Sequence, residues 1–424
     1  MLASVVEATD NQRRALVTVC TGDQDLSGRL IELQPMTIGR GGDVEVDLVV
    51  ADRLLSRHHA TFELDDLGRV HLVDNQSRNG CFVDGARVQR RRLEPGDVVR
   101  VGVTVFVVDH DDRMQLPEVR AVGRRDRLVG CSRAFTQLEE AVDTAAQTGA
   151  AVVVTGEAGS GKSLVASEIH LRSRREGSAI ALSCRGTTPL APRDLVGSDD
   201  GGGFFGAAED GTLILDEVDL LPPELQDVLR IALREGTYRP EGGEERPFTA
   251  RVVATTSAGL DAAVSAGVFA AELRDLLSQR EIELPPLRDR RVDIPLLLRH
   301  FLALEEPDRP FDWSATCLEK LLVHHWPKNL RELRQISRRM LLVDDDVVTL
   351  RSAHLPQEIL AAAPRTTQTA SAIPIQTVPS RDELQALLEQ HRGDAAKLAE
   401  HYKKDRRHIY RWLARHDLSA QPFR

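Results

Sequence analysis

The apolar positions fall into three patterns along the chain. Up to about residue 115 the apolar runs are short, and several alternate with polar residues. Arg14–Cys20, Arg29–Gln34, Met36–Arg40, Ala60–Leu64, Arg69–Val73 and Val98–Val108 read as strands. In two of them Phe62 and Leu64 share a face, as do Val70 and Leu72. Glycine and aspartate clusters separate the strands, which predicts a β-sandwich. From about residue 122 the pattern changes. Alternation gives way to a helix opening at Leu128–Ser132 and running to Gln147, with Leu138 and Val142 at helical spacing. Two continuous apolar runs, Val152–Thr155 and Thr212–Leu215, read as strands, the second of them buried, and Leu296–Leu304 is an amphipathic helix. Residues 361–380 are rich in Ala, Thr, Ser and Pro and read as a tether. Helical spacing returns after Arg381: Leu384, Leu387 and Leu388 share one face, Ala395, Leu398 and Ala399 a second, and Ile409, Trp412 and Leu413 a third.

The strand Val152–Thr155 runs into Gly156-Glu157-Ala158-Gly159-Ser160-Gly161-Lys162-Ser163, and a helix over Ser163–His170 follows. The spacing is that of the phosphate-binding loop. Glycines let backbone N–H groups converge on phosphate, and the helix N-terminus adds a positive field. Lys162 is placed to reach the β- and γ-phosphates of ATP, and Ser163 to ligate Mg²⁺. About 50 residues on, the buried strand from Thr212 ends in Asp216-Glu217. In this setting Asp216 is a holder of Mg²⁺ through water, and Glu217 an orienter of the attacking water.

Charge sharpens the two ends. The net charge of −10 argues against a whole-chain polyanion binder but leaves room for a local basic module. Lys403–Arg415 carries six Lys/Arg and one Asp on the last predicted helix, after a tight turn. Lys404, Arg406, Arg407, His408 and Arg411 are its candidate DNA contacts. Near the N-terminus, Arg40, Ser56, Arg57 and Ser77 lie in loops, and guanidinium forks with hydroxyls suit a phosphate dianion. With 28% charged and 42% hydrophobic residues the chain is globular, and 424 residues predict two to four domains. Five scattered cysteines form no paired or metal-ligand spacing and read as buried thiols. The absence of a leader-like or long apolar span gives the expectation of a cytoplasmic protein with no membrane partner.

The loops Gly39-Arg40, Ser56-Arg57-His58-His59 and Asp74–Gly80, with Gly85 and Leu93–Asp97, together resemble the forkhead-associated domain. The resemblance implies phosphothreonine-peptide binding, with Arg40, Ser56, Arg57 and Ser77 facing phosphate and Asn79 holding the peptide backbone. Gly39, His59 and Gly80 would shape the loops. The middle of the chain resembles the AAA+ ATPase of bacterial enhancer-binding proteins, the sigma-54-dependent activators. That resemblance rests on the two motifs above and on Arg251–Thr256, Leu284–Arg290 and Trp326–Leu333. It implies a doubly wound α/β core with a helical lid, Arg331 as the sensor of nucleotide, and a homo-oligomeric ring. The C-terminal helices resemble the Fis-type helix-turn-helix, which implies dimeric DNA binding at an enhancer-like site. The expected architecture is therefore a β-sandwich over 1–115, an AAA+ module over 122–355, a linker over 356–380 and an all-α DNA-binding domain over 381–424.

The sequence departs from the family's pattern in its chemistry. Only the short Arg185–Gly202 is left for the loop that grips sigma-54, and it lacks the Gly-Ala-Phe-Thr-Gly-Ala tip. Phe204-Phe205-Gly206-Ala207-Ala208 aligns elsewhere and reads as structural. Ser183 replaces the usual Asn near the catalytic glutamate, and Thr256-Ser257 replaces Thr-Asn. The two trans-acting arginine fingers fall at Ala270 and Leu276, with Arg274 or Arg280 as substitutes if the alignment slips. An arginine finger contributes roughly 10³–10⁵ in rate. The expectation is ATP binding with hydrolysis weak or lost. Two functions remain: a sigma-54-dependent transcription regulator fed by a Ser/Thr kinase pathway, or an ATP- and DNA-binding interaction protein or repressor that does not remodel sigma-54 polymerase.

Overall fold

A computed structural model describes residues 14–20, 30–110, 128–186, 190–198, 202–307, 311–342 and 349–360, with Gln385 and Lys397 beyond. The N-terminal part is a sandwich of two sheets. One runs Leu30–Glu32, Arg14–Cys20, Thr104–His110, Val98–Val101, Cys81–Val83, Ala86–Val88; the other runs Leu48–Val49, Met36–Gly39, Ala60–Leu64, Val70–Asp74, Arg90–Arg92. Phe62, Leu72, Ile38, Val99 and Phe106 fill the space between the sheets. Phe62 is fully buried, whereas Leu64, on the same face at the strand's end, is exposed. The apolar run expected as one strand over Val98–Val108 is two, folded back at Gly102, whose φ is +61°. The short strands at Leu48, Cys81, Ala86 and Arg90 are additional to those expected, because two or three residues carry no legible period.

The central part is a five-stranded parallel sheet in the order Ala179–Ser183, Thr212–Asp216, Arg251–Thr256, Val152–Thr155, Arg280–Glu283. The valines of the central strand and Leu213–Leu215 are buried because helices cover both sheet faces. The first helix spans Arg133–Ala146, beginning just after the expected opening at Leu128–Ser132 and ending one residue before Gln147, with Ser132 as N-cap taking the Phe135 N–H. The helix after the phosphate-loop motif spans Lys162–Ser173, longer than Ser163–His170. The order of strands and the crossing helices confirm the doubly wound core.

A helical lid follows: Ile294–Glu305, Ala315–Val323 and Asn329–Leu341. Trp326 anchors it, fully buried, with its indole N–H on Leu321 O at 2.9 Å. Asp293 ties lid to core. Its carboxylate, buried and pushed up in pKa by burial, accepts from Cys131 N, Ser132 N and Ser132 Oγ at 2.6–2.8 Å.

The sandwich packs on the lid. The strands Val98–Val101 and Thr104–His110 are apolar on both faces. Val99, Phe106 and Val108 enter the sandwich, while Val98, Val105 and Val107 join the lid's core with Leu318 and Leu322. Two ion pairs cross the seam: Arg100 to Glu319 at 2.7 Å and Arg291 to Asp84 at 3.2 Å. Cys81, Cys184 and Cys317 are buried free thiols, and burial pushes Cys184 and Cys317 up to about 12. No helix among the described residues is long and apolar enough to cross a membrane.

Candidate functional site

The loop Gly156–Gly161 sits where the central strand meets the helix Lys162–Ser173. Lys162 is only 6% exposed. Its ammonium donates to Gly156 O (2.9 Å), Glu157 O (3.3 Å) and Ser257 Oγ (2.8 Å), and lies 3.5 Å from Glu217 Oε1. Ser257 Oγ also donates to Glu217 Oε1 at 2.8 Å, so this serine bridges lysine and glutamate. Ser163 Oγ donates to Asp216 Oδ1 at 2.9 Å, and Thr255 Oγ1 to the same oxygen at 2.7 Å. Glu217 follows the strand in left-handed backbone, φ +56°, its N–H held by Thr255 Oγ1 at 3.1 Å. Thus Lys162, Ser163, Asp216 and Glu217, named from sequence, converge on one point. Ser160 Oγ is buried against Gly156 and, among the described residues, has no hydrogen-bond partner.

Three contacts were not legible as such. Arg288 makes a bidentate pair with Glu157 at 2.7 and 2.8 Å, which holds that carboxyl below the usual glutamate range. Asn329 accepts from Leu287 N at 2.8 Å and donates to Glu157 Oε2 and Ala158 O, both at 3.2 Å. Arg290 donates to Ser160 O at 3.3 Å. The lid therefore grips the loop through the two strings that carried the sequence resemblance. A Cβ at Gly159 would collide with Lys328 O and stand 3.1 Å from Arg331 Cβ. That close approach needs glycine, and it places exposed Arg331 beside the loop.

Ala270 is the N-cap of the helix Ala271–Leu277, and Leu276 is half-buried on it. Arg274 is paired with Asp261 (2.8 Å) and Asp275 (3.0 Å). Arg280 opens the edge strand opposite Val152, at the end of the sheet away from the loop. Phe205 is buried edge-on against Tyr238 and Phe248, the structural role expected of it.

On the sandwich, Arg40, Arg57 and Asn79 are exposed and Ser56 half-buried around one loop cluster. A Cβ at Gly39 would strike Arg57 O, so the strand end and the Arg57 loop touch only through glycine. Ser56 Oγ accepts from Arg78 N at 3.1 Å, and Asn79 Nδ2 donates to Leu54 O at 2.6 Å. Ser77 stands apart from these. It is buried, and its hydroxyl accepts from Gly80 N at 3.0 Å. Arg57 is engaged by Asp43 at 2.7 Å. His59, Asp74 and Cys81 cluster beneath the loops within 4.8 Å of one another. Two of its members, His59 and Asp74, brace the loops. His59 Nδ1 accepts from Ser56 N (3.0 Å), Nε2 faces Gly80 O (3.2 Å), and Asp74 Oδ1 takes the Ser77 N–H (2.9 Å). Burial pushes the His59 pKa down, and a backbone N–H at Nδ1 with a carbonyl at Nε2 fits the tautomer protonated on Nε2. Lys404, Arg406, Arg407, His408 and Arg411 lie outside the described residues.

Residues 128–283 match the Sigma-54 interaction domain, residues 36–102 the FHA domain and residues 288–372 the AAA+ ATPase lid domain. The chain is 36% identical over 241 residues to the transcriptional regulator NtrC of Bradyrhizobium (52% of this chain, 49% of the relative). It is 30% identical over 304 residues to the Psp operon transcriptional activator of Escherichia coli (65% of this chain, 93% of the relative). A crystal structure of NtrX from Brucella abortus with ADP aligns at a TM-score of 0.53 and 28% identity over 69% of this chain and 70% of that one. The chain spans about half the length of the first curated relatives it matches, 49% of NtrC and 54% of XylR from Pseudomonas putida. The near-complete coverage of the Psp operon activator and the matched AAA+ and lid domains show that the chain belongs to the sigma-54-dependent transcriptional regulator family.

Proposed function

We propose that the protein is a DNA-binding transcription regulator that binds ATP with Mg²⁺ centrally and takes a phosphothreonine protein as input at its N-terminal sandwich. The convergence of Lys162, Ser163, Asp216, Glu217 and Ser257 carries the reading. The loop from Gly156 to Gly161 and Lys162 would hold the phosphates, Ser163 and Asp216 the magnesium, and Arg331 the nucleotide from the lid. Bound ATP supplies a phosphoanhydride, whose state the lid reads. Glu217 would orient water, but with Ala270 and Leu276 in place of fingers its turnover is slow. NtrX, solved with ADP and with ATP, supports nucleotide binding in this fold. Arg40, Ser56, Arg57 and Asn79 form the phosphopeptide face, with Ser77 setting its loop. Residues 381–424 supply the helix-turn-helix, with Lys404, Arg406, Arg407, His408 and Arg411 toward DNA, and the protein works as a homo-oligomer.

A second reading is favoured by the finger positions: the protein occupies DNA and a phosphorylated partner without remodelling sigma-54 polymerase. Reporter transcription from a sigma-54 promoter, set beside ATP turnover by the full chain, separates the two. Activation that requires Lys162 supports the first. Binding of Mg²⁺-ATP and DNA without activation supports the second. No affinity for Mg²⁺-ATP overturns both.

A further inference from the structure

Arg185 lies in the turn that leaves strand Ala179–Ser183. Its root is fixed, because Cys184 N donates to Asp216 O at 2.9 Å, at the end of the strand that presents Asp216 and Glu217. Its guanidinium reaches back into the site and stands 3.9 Å from Glu217 Oε2. The side chain is 70% exposed, whereas Glu217 is 14% exposed. An exposed pair at that separation contributes little and is easily exchanged for a better anion. Glu217 is already served by Ser257 at 2.8 Å and Lys162 at 3.5 Å, so it does not depend on Arg185.

Two other guanidiniums that touch the loop are committed: Arg288 is locked to Glu157, and Arg290 reaches Ser160 O. Arg331 stands beside Gly159, at the loop's other flank. Among the described residues, Arg185 is therefore a guanidinium on the Glu217 side of the site with slack to move. A nucleoside triphosphate differs from a diphosphate by extra negative charge on the side where Lys162, Ser163 and Glu217 meet. A planar guanidinium with paired donors suits that group.

We infer that Arg185 is a phosphate-sensing residue acting in cis: it leaves Glu217 for the terminal phosphate of a bound triphosphate, and so distinguishes ATP from ADP. This rests on the nucleotide reading above. It gives the subunit an arginine of its own where the trans positions hold Ala270 and Leu276.

The test uses the full-length chain and displacement of a fluorescent ADP analogue by Mg²⁺-ATP and Mg²⁺-ADP. R185A is expected to weaken Mg²⁺-ATP by about tenfold or more, the effect of losing one charge-assisted contact. Mg²⁺-ADP should stay within about twofold, because Arg185 touches no other described part of the site, and R185K should recover part of the loss. An unchanged thermal melt shows that the fold is intact. Equal loss for both nucleotides, or no loss for either, overturns the inference while leaving the nucleotide site standing. K162A should lose both nucleotides. If the wild-type chain binds neither, the nucleotide reading falls and the role of Arg185 with it.

Discussion

The two proposed phosphate sites are built from different atoms. Around Gly156–Gly161 the donors are backbone and one lysine, 6% exposed, and the lid closes on the loop from Lys328, Asn329 and Arg288. On the sandwich the donors are side chains on open loops, and Arg57 is already engaged by Asp43. A backbone site is shaped before its ligand arrives and tolerates no added atom. A side-chain site tolerates added atoms but must first release its own counter-ion. The first should therefore fail by crowding and the second be tuned by charge.

The seam between sandwich and lid is what joins the two, and breaking it has the largest expected effect. Arg291 and Asp84 are each 1% exposed, 3.2 Å apart, and Arg291 also donates to Gly96 O at 2.7 Å. Arg291 belongs to the segment that carries Arg288 and Arg290 to the phosphate loop. Removing one member of a buried pair costs about 3–5 kcal/mol, because the other is left buried and charged. R291A should lower the first calorimetric transition by roughly 10 °C. R291A with D84A together should cost less than R291A alone. If the single and double variants melt like the wild type, the seam is not held by this pair.

Crowding is the next test. G159A drives a methyl into Lys328 O. Overpacking of that kind costs about 1–3 kcal/mol, or roughly ten- to a hundredfold in affinity. Mg²⁺-ATP binding by titration should weaken by that factor, while binding of a phosphothreonine peptide to the same protein stays unchanged. Equal loss at both sites would erase the contrast between them.

The backbone-built site was the more legible in sequence for a physical reason. Its geometry is imposed locally by glycines and a helix start, so Gly156–Ser163 and Asp216-Glu217 announced it and the structure brings them together. The bridge by Ser257 needed three-dimensional proximity across 95 residues. So did the clamp of Arg288 and Asn329 on Glu157, although their strings were recognised. On the sandwich, residue types were legible but not orientation. Ser77 turns inward to Gly80 N, a choice set by loop closure rather than by local pattern. The doubled apolar faces of Val98–Val108 signalled strands but not that one face would be covered by the lid.

Acid under the seam offers a pH handle. Asp97, 5% exposed beside Asp84 and Arg91, is pushed up to about 6 from the ordinary 3.8, first by burial and then by the Asp84 charge. The folded chain thus keeps a proton that the unfolded chain has lost between about pH 4 and 6. This group's contribution to stability is complete below about pH 4 and is lost as pH rises through 6. D97N keeps an acceptor for Glu94 N, which Asp97 Oδ2 now holds at 2.8 Å. It should stabilise the protein at pH 7.5 by about 1–3 kcal/mol and flatten the melt-versus-pH curve between 4 and 6. A variant whose curve keeps the wild-type slope would assign the titration elsewhere.

The smallest effect tests the open side of the comparison. Asp43 is 75% exposed, and its bond to the Arg57 guanidinium holds its carboxyl below the usual range. The pair is well formed, with Arg57 Nη1 on both carboxylate oxygens at 2.7 and 2.8 Å. A phosphothreonine approaching Arg57 must displace that carboxylate before it gains the guanidinium. D43N removes the competitor without shortening the side chain. Phosphopeptide affinity should rise by about two- to fivefold, the scale of an exposed ion pair, and the gain should shrink in high salt. The nucleotide site, walled by backbone, should not respond. R57A should lose phosphopeptide binding in either background, because Asp43 acts only through Arg57. An affinity that falls in D43N would instead make Asp43 an orienter of Arg57, and the side-chain site would then be preformed like its backbone counterpart.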